Sequence, residues 1–142
     1  MNDLLQTAVS LYRHDRVGGE AAFRSAAAAD PQALAPHYCL YKILAYQGRL
    51  DEALAAANAA LALAAGQAGL AADWRLWRAE DLPDVFGGPV RFALYTMKAL
   101  AFIHLKRGEP ASACALLDKL RDLGRLDTVG GGVIAELAAG AA

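Results

Sequence analysis

The residues able to carry acid–base or metal chemistry are scattered along this sequence rather than grouped. The three histidines fall in three different predicted helical pairs, and no HExxH or similar paired-ligand spacing occurs. The two cysteines lie far apart and form no CxxC pair. These residues are His14, His37, His104, Cys39 and Cys114. We therefore expect no catalytic residue, no metal ligand and no cofactor.

Glycine-rich and acidic stretches give no stronger sign of chemistry. No GxGxxG, GxxxxGK[ST] or GxSxG pattern is present, and the GGP stretch at 87–89 has the wrong spacing to cradle a phosphate. The carboxylates of Glu80, Asp81 and Asp84 surround a Leu-Pro pair, which favours a solvated loop over a cation site. An enzyme is therefore the least favoured class of protein.

The aromatic residues show a clearer pattern. All five tyrosines lie in the first helix of a predicted helical pair, and so does Phe102. Lysines accompany them in the second and third pairs. Rigid rings supply contact area at low entropy cost, and lysines can meet carboxylates at a rim. This distribution favours a surface that binds a protein or peptide.

Composition narrows the fold and the location. The 142 residues carry 14 Lys+Arg and 15 Asp+Glu, a net charge of −1, and about a quarter of the chain is alanine. Alanine favours helix over strand, so we predict an all-α protein. Near-neutral charge argues against nucleic-acid binding. No apolar run of about 20 residues is present, so no membrane span is expected. The N-terminal residues lack a basic region followed by an apolar run, which favours a cytoplasmic location.

Glycine and proline divide the chain into short helical segments. The apolar spacing predicts helical pairs over about 3–31, 36–65 and 90–123, with an inserted helix and loop over 67–89 and a capping helix over 129–139. No period-2 alternation predicts a strand. All 142 residues are therefore expected to form a single domain.

The helical pairs share an internal repeat. Gly48 and Gly108 each stand at a turn, and each is followed five positions later by a small residue, Ala53 or Ala113. In the same frame, Gly19 stands 34 residues before Ala53. Small residues at these positions allow the two helices of a pair to cross closely.

On these residues the sequence resembles the tetratricopeptide repeat (TPR) family. Residues 46–54, YQGRLDEAL, are the most typical stretch. The clearest unit spans 37–65 and a second spans 97–123, whereas 3–31 is a weaker third in which His14 replaces the turn glycine. The resemblance implies a superhelix of stacked antiparallel helical hairpins whose last apolar face needs a cap. An unrelated helical bundle is the alternative.

In the TPR family the first helices of the hairpins line a concave surface. The resemblance therefore implies a partner-binding groove formed by Tyr12, Tyr38, Lys42, Tyr46, Tyr95, Lys98, Phe102 and Lys106. A peptide with apolar anchors and some acidic residues would suit such a groove, unless Tyr41 and other rings pack between hairpins instead. The family's two-carboxylate clamp is absent, because Leu4 and Ala8 occupy two of its positions.

The insertion at 67–89 interrupts the regular array. Ala53 and Ala113 are 60 residues apart, which exceeds the 34-residue repeat by 26. The insertion holds Trp74 and Trp77, which either pack into the core or form a second contact surface. If the insertion forms an extra helix, three arrangements are open: the helix lengthens the stack, fills the groove or offers a separate contact surface.

Two functions remain open from the sequence. The first is a non-catalytic protein–protein interaction module, adaptor or chaperone-like and of a bacterial, cytoplasmic type, that binds a peptide or partner-protein segment in the groove. The alternative is a structural subunit that self-associates, as a homodimer for example, through the aromatic groove or the insertion.

Overall fold

The computed structural model describes residues 3–83 and 87–141, with side chains from Thr7 onwards. Within these residues the secondary structure is entirely helical and includes no strand, which confirms the predicted all-α class. The helices are α1 Asp3–Tyr12, α2 Arg16–Ala29, α3 Leu34–Tyr46, α4 Leu50–Ala68, α5 Gly88–Lys106, α6 Pro110–Asp122 and α7 Gly132–Ala141. None of the described helices has the length and apolar character needed to cross a membrane.

Loops of equal length join α1 to α2, α3 to α4 and α5 to α6, at residues 13–15, 47–49 and 107–109. In the second and third loops, glycines with positive φ, Gly48 at 74° and Gly108 at 78°, follow the end of the helix. The next amide, of Arg49 or Glu109, donates to the carbonyl five residues earlier, at 3.0 and 2.9 Å. The repeated glycine spacing thus produces the same helix cap twice.

Each helix packs against the helix that follows it, and α3 also contacts α5. The contact between α4 and α5 is the most extensive, although the insertion separates them in sequence. The insertion lies instead along α6 and the residues after it. There the Lys119 ammonium donates to the carbonyl of Arg75 at 3.0 Å, and Arg125 donates to the carbonyl of Pro83 at 2.8 Å. The second and third helical pairs are therefore in direct contact.

The prediction of an inserted α-helix within 67–89 is wrong. Between α4 and α5, the described residues of this segment form two 3₁₀ turns, Trp74–Leu76 and Ala79–Asp81. Side chains compete there with a continuing helix, because Asp73 accepts from the amide of Arg75 at 3.0 Å and the Trp77 indole donates to the carbonyl of Ala71 at 2.7 Å.

The two tryptophans of the insertion have different environments. Trp77 is only 1% exposed, so it packs into the core and cannot form the second contact surface that the sequence left open. Trp74 is half-buried and packs against that core, with the Arg75 guanidinium 4.4 Å from its ring centroid. Of the two tryptophans, only Trp74 can therefore contribute to a second contact surface.

The face of α4 that enters the core consists almost entirely of alanine. Five alanines on this helix are at most 2% exposed. They are Ala53, Ala57, Ala60, Ala64 and Ala65. Because each side chain is a single methyl group, the backbones of α3 and α5 can both approach α4 closely.

Arginines at the turns tie one helical pair to the previous one. Arg49, between α3 and α4, forms ion pairs with Glu20 of α2 and with Glu52. Arg107, between α5 and α6, forms ion pairs with Asp51 of α4 and with Glu109. Arg49 lowers the pKa of Glu20 through a side-chain hydrogen bond. The two turns therefore fix the register of successive pairs in a similar way.

The close helix crossing predicted at Gly19 is confirmed. Gly19 is buried in α2, and a Cβ placed on it would lie 2.4 Å from the Cα atom of Tyr12 in α1. That atom belongs to the backbone, so a side chain at position 19 cannot be accommodated by a rotamer change alone.

Replacement of Gly19 by alanine should therefore separate α1 from α2. We expect Gly19→Ala to lower the free energy of unfolding by about 1–3 kcal/mol, the usual cost of overpacking. Urea titration followed by circular dichroism measures the change.

A matched control is the helical Gly66, where a Cβ would meet nothing within 4 Å. Gly66→Ala should raise the free energy of unfolding by about 0.4–1 kcal/mol, because it restricts only the unfolded chain. Equal effects of the two substitutions would show that α1 and α2 do not cross at Gly19.

Candidate functional site

A cavity lined largely by aromatic rings lies between α3 and α5, and we call it the central pocket. Its volume is about 330 Å³. Helix α3 forms one wall and α5 the other, with α7 adding one side chain at the edge. The lining residues are Tyr38, Tyr41, Lys42, Ala45, Tyr46, Tyr95, Lys98, Ala99, Phe102, Ile103 and Ile134.

Tyr41 forms part of the floor of the central pocket. It is only 1% exposed, and its hydroxyl shares a hydrogen bond of 3.1 Å with the hydroxyl of the buried Thr96 on α5. Burial raises the pKa of Tyr41 to about 12. The ring therefore packs between α3 and α5, as the alternative reading of the sequence allowed, and its hydrogen bond connects the two walls.

Tyr38 organises the α3 wall. Its ring meets the rings of Tyr41 and Phe92 edge to face, with centroids 5.5 and 5.8 Å apart. The ammonium of Lys42 donates to the Tyr38 hydroxyl at 2.9 Å, and this hydrogen bond raises the pKa of Lys42. Contacts on both sides of Tyr38 thus hold its ring in place before any partner arrives.

Cationic groups lie against the rings of the α5 wall. The ammonium of Lys98 and the guanidinium of Arg91 lie 5.2 and 5.5 Å from the Tyr95 centroid, and Lys106 lies 5.7 Å from that of Phe102. Such contacts contribute about 0.5–1 kcal/mol each at exposed sites. They orient the side chains, but a neutral ring leaves the positive charge of each lysine uncompensated.

The structure brings six of the eight predicted groove residues into the central pocket. They are Tyr38, Lys42, Tyr46, Tyr95, Lys98 and Phe102. Lys106 lies beyond the lining, over the ring of Phe102. Their role in binding a partner stays a prediction.

Tyr12 does not belong to this pocket. It packs against Phe23, with ring centroids 6.0 Å apart, and its hydroxyl accepts from the Gln47 side chain at 3.0 Å. It therefore lies at the junction of the first two helical pairs. Ala8, on the same helix, is fully buried, whereas the side chain of Leu4 lies outside the described residues.

The sequence analysis did not predict three residues at or beside the central pocket. Arg91 and Phe92 contact the rings of Tyr95 and Tyr38, and Ile134 lines the pocket. Arg91 and Phe92 precede Tyr95 by four and three residues, so helical spacing placed them on its face and was the signal that could have found them. Ile134 showed helical spacing too, but only as part of a cap. Its approach to the central pocket depends on how α7 packs against α5 and α6, which no local pattern specifies.

The described residues contain no group of three or more His, Cys, Asp or Glu side chains that could hold a metal ion. The Nδ1–H group of His104 donates a 3.0 Å hydrogen bond to the carboxylate of Glu109 at the turn after α5. Burial raises the pKa of the Cys39 thiol, which disfavours the reactive thiolate form. The site is therefore best described by its shape, its rings and its charge.

No protein-family model matches the chain, and neither a curated protein nor a solved structure is significantly similar to it.

The Tyr41–Thr96 hydrogen bond should stabilise the arrangement of the two walls. We expect Tyr41→Phe to lower the free energy of unfolding by about 1 kcal/mol, because it leaves a buried hydroxyl on Thr96 without its partner. In the double variant Tyr41→Phe/Thr96→Val both polar groups are gone, so its loss should be smaller than the sum of the single losses. Strictly additive losses in a urea-unfolding cycle would contradict the coupling.

The raised pKa of Tyr41 predicts the sign of a pH effect. Its stabilising contribution is fully present below the ordinary pKa of 10.0 and is lost as the pH rises towards about 12. The free energy of unfolding should fall less over this range in Tyr41→Phe than in the wild type. Tyr46→Phe is the control, because Tyr46 is 74% exposed and should leave the alkaline decline unchanged.

Proposed function

We propose that this protein is a non-catalytic interaction module of the TPR type that holds a segment of a partner protein in the central pocket. The observation that carries the proposal is a preformed cavity walled by aromatic rings, with two lysines and, among the described residues, no carboxylate in its lining. Binding sites for protein segments typically combine buried aromatic anchors with a polar rim.

Three features of the fold support the proposal. Stacked hairpins require loops of equal length, matching helix caps and direct contact between successive helical pairs, and the described residues have all three. We therefore propose that the three pairs are degenerate TPR hairpins and that α7 is their cap. The proposed setting is cytoplasmic, with the protein acting as an adaptor or a chaperone of bacterial type.

The position of the insertion also supports a binding role. None of its described residues lines the central pocket, because the segment runs along the far side against α6. No described residue of the insertion therefore fills the space between the α3 and α5 walls. Tyr46, at 74% exposure, stands at the rim where a partner would cover it.

Self-association through the groove is the competing function. Two exposed apolar side chains on α7, Val133 at 69% and Leu137 at 55%, lie near Ile134 in sequence and would be covered in a homodimer. Light scattering of the purified protein distinguishes the two functions. A monomer at micromolar concentration supports a groove that is open to another protein, and a stable dimer dissociated by Tyr46→Ala supports self-association.

Peptide selection tests the binding function directly. We expect the wild-type protein to enrich peptides from a display library of random sequences. Tyr46→Ala/Phe102→Ala should weaken binding of the enriched peptides by at least about tenfold, since anchors at such sites contribute about 2 kcal/mol or more.

Leu76→Ala is the matched control for this experiment. Leu76 is 67% exposed but lies on the insertion, away from the central pocket, so its removal should leave affinity unchanged. Failure to enrich any peptide, or equal binding by both variants, would remove the proposed function.

A further inference from the structure

A second cavity adjoins the central pocket, and we call it the N-terminal pocket because it lies at the start of α5. Its volume is about 480 Å³. Its lining is Tyr38, Gly88, Arg91, Phe92 and Tyr95. The two cavities share the rings of Tyr38 and Tyr95, which form a ridge between them. The groove is therefore divided into two places that can each receive a side chain.

The α5 wall gives an approximate spacing for the two cavities. This helix contributes residues 88–95 to the N-terminal pocket and 95–103 to the central pocket. The middles of these two ranges are about seven residues, or about 11 Å, apart along α5 at the rise of an α-helix. Side chains at i and i+7 of a bound helix are spaced by about 10.5 Å. Side chains at i and i+3 of a polyproline II segment are spaced by about 9 Å.

The charge around the two cavities has one sign. Among the described residues, Lys42, Lys98 and Lys106 have no carboxylate within 4.0 Å, and no aspartate or glutamate lines either cavity. The positive charge of the groove is therefore carried by these three lysines.

Other cations in the same chain are arranged differently. Arg49 and Arg107, at the turns, are each paired with two carboxylates. The net charge of the chain is only −1, so the positive excess is a local property of the groove. A partner that approaches it gains by bringing negative charge, and a basic segment is repelled.

We propose that the occupant of the groove is an acidic protein segment with two apolar anchors about 11 Å apart, one for each pocket, and with carboxylates that pair with Lys42 and Lys98. This inference rests on the proposed function and specifies its partner. The shared ridge of Tyr38 and Tyr95 would contact the short stretch between the anchors.

Synthetic helical peptides with leucine at i and i+7 and glutamate at the remaining exposed positions test the proposal. A matched peptide replaces every glutamate with glutamine, and two others replace one leucine each with alanine. We expect the acidic two-anchor peptide to bind the wild-type protein at least about tenfold more tightly than each of these, and added salt to weaken only the acidic peptides.

Variants of the protein identify the groups that select the charge. Lys42→Gln/Lys98→Gln should reduce the preference for glutamate over glutamine to less than about threefold while binding of the glutamine peptide is retained. Arg121→Gln is the matched control, because Arg121 lies on α6 beside Asp118, and it should leave the preference unchanged. Circular dichroism checks that each variant is folded.

The outcomes separate this inference from the function on which it rests. If the library in the preceding section enriches neutral or basic peptides that still require Tyr46 and Phe102, the acidic partner is wrong and the binding function stands. If one leucine suffices for full affinity, the two-pocket arrangement is wrong. If no peptide binds at all, both proposals fail together.

Discussion

The close approach of α3 and α5 to the alanine face of α4 is the constraint on which the rest of the structure depends. Five alanines between Ala53 and Ala65, together with Leu61, form the buried face of α4, so most side chains on this face are single methyl groups. Larger side chains there would push α3 and α5 apart, because packed interiors do not absorb added volume without strain. With the alanines, Tyr41 reaches Thr96 across the interior, and the outward faces of α3 and α5 become the two walls of one groove.

Once these helices are adjacent, the chemistry of the groove follows from its neighbours. Tyr38 is held by two rings and a lysine, so little side-chain freedom remains to be lost when a partner binds. Aromatic rings, rather than carboxylates, contact the ammonium groups of Lys98 and Lys106, so no nearby negative charge within the described residues offsets their positive charge. Carboxylates occur instead at the turns, where Arg49 and Arg107 hold successive helical pairs in register. The arginines at the turns are thus neutralised by carboxylates, whereas the lysines of the groove are left for a partner.

The insertion shows how a departure from a repeat can be accommodated without disturbing the groove. Trp77 is buried, and the backbone carbonyls of Arg75 and Pro83 accept hydrogen bonds from Lys119 on α6 and from Arg125. These contacts absorb the extra residues outside the stack. Helices α4 and α5 therefore meet as closely as if the chain between them were short.

The sequence by itself determined the local features of this protein. Alanine content specified helix, the glycine spacing specified the caps at Gly48 and Gly108, and the small residue at Gly19 specified a close crossing, because each depends on one residue and its near neighbours. The resemblance to the TPR family also predicted six of the residues that line the central pocket. These features needed no knowledge of the distant chain.

Only the tertiary structure decided which of those faces meet. Tyr12 joins Gln47 rather than the groove, Trp77 enters the core, and Ile134 reaches the pocket edge from a helix that follows the stack. The absence of carboxylates around the groove lysines is also a tertiary property within the described residues. Each of these outcomes depends on distances between segments that are far apart in sequence. Such distances are set by the packing of whole helices, which a local pattern does not encode.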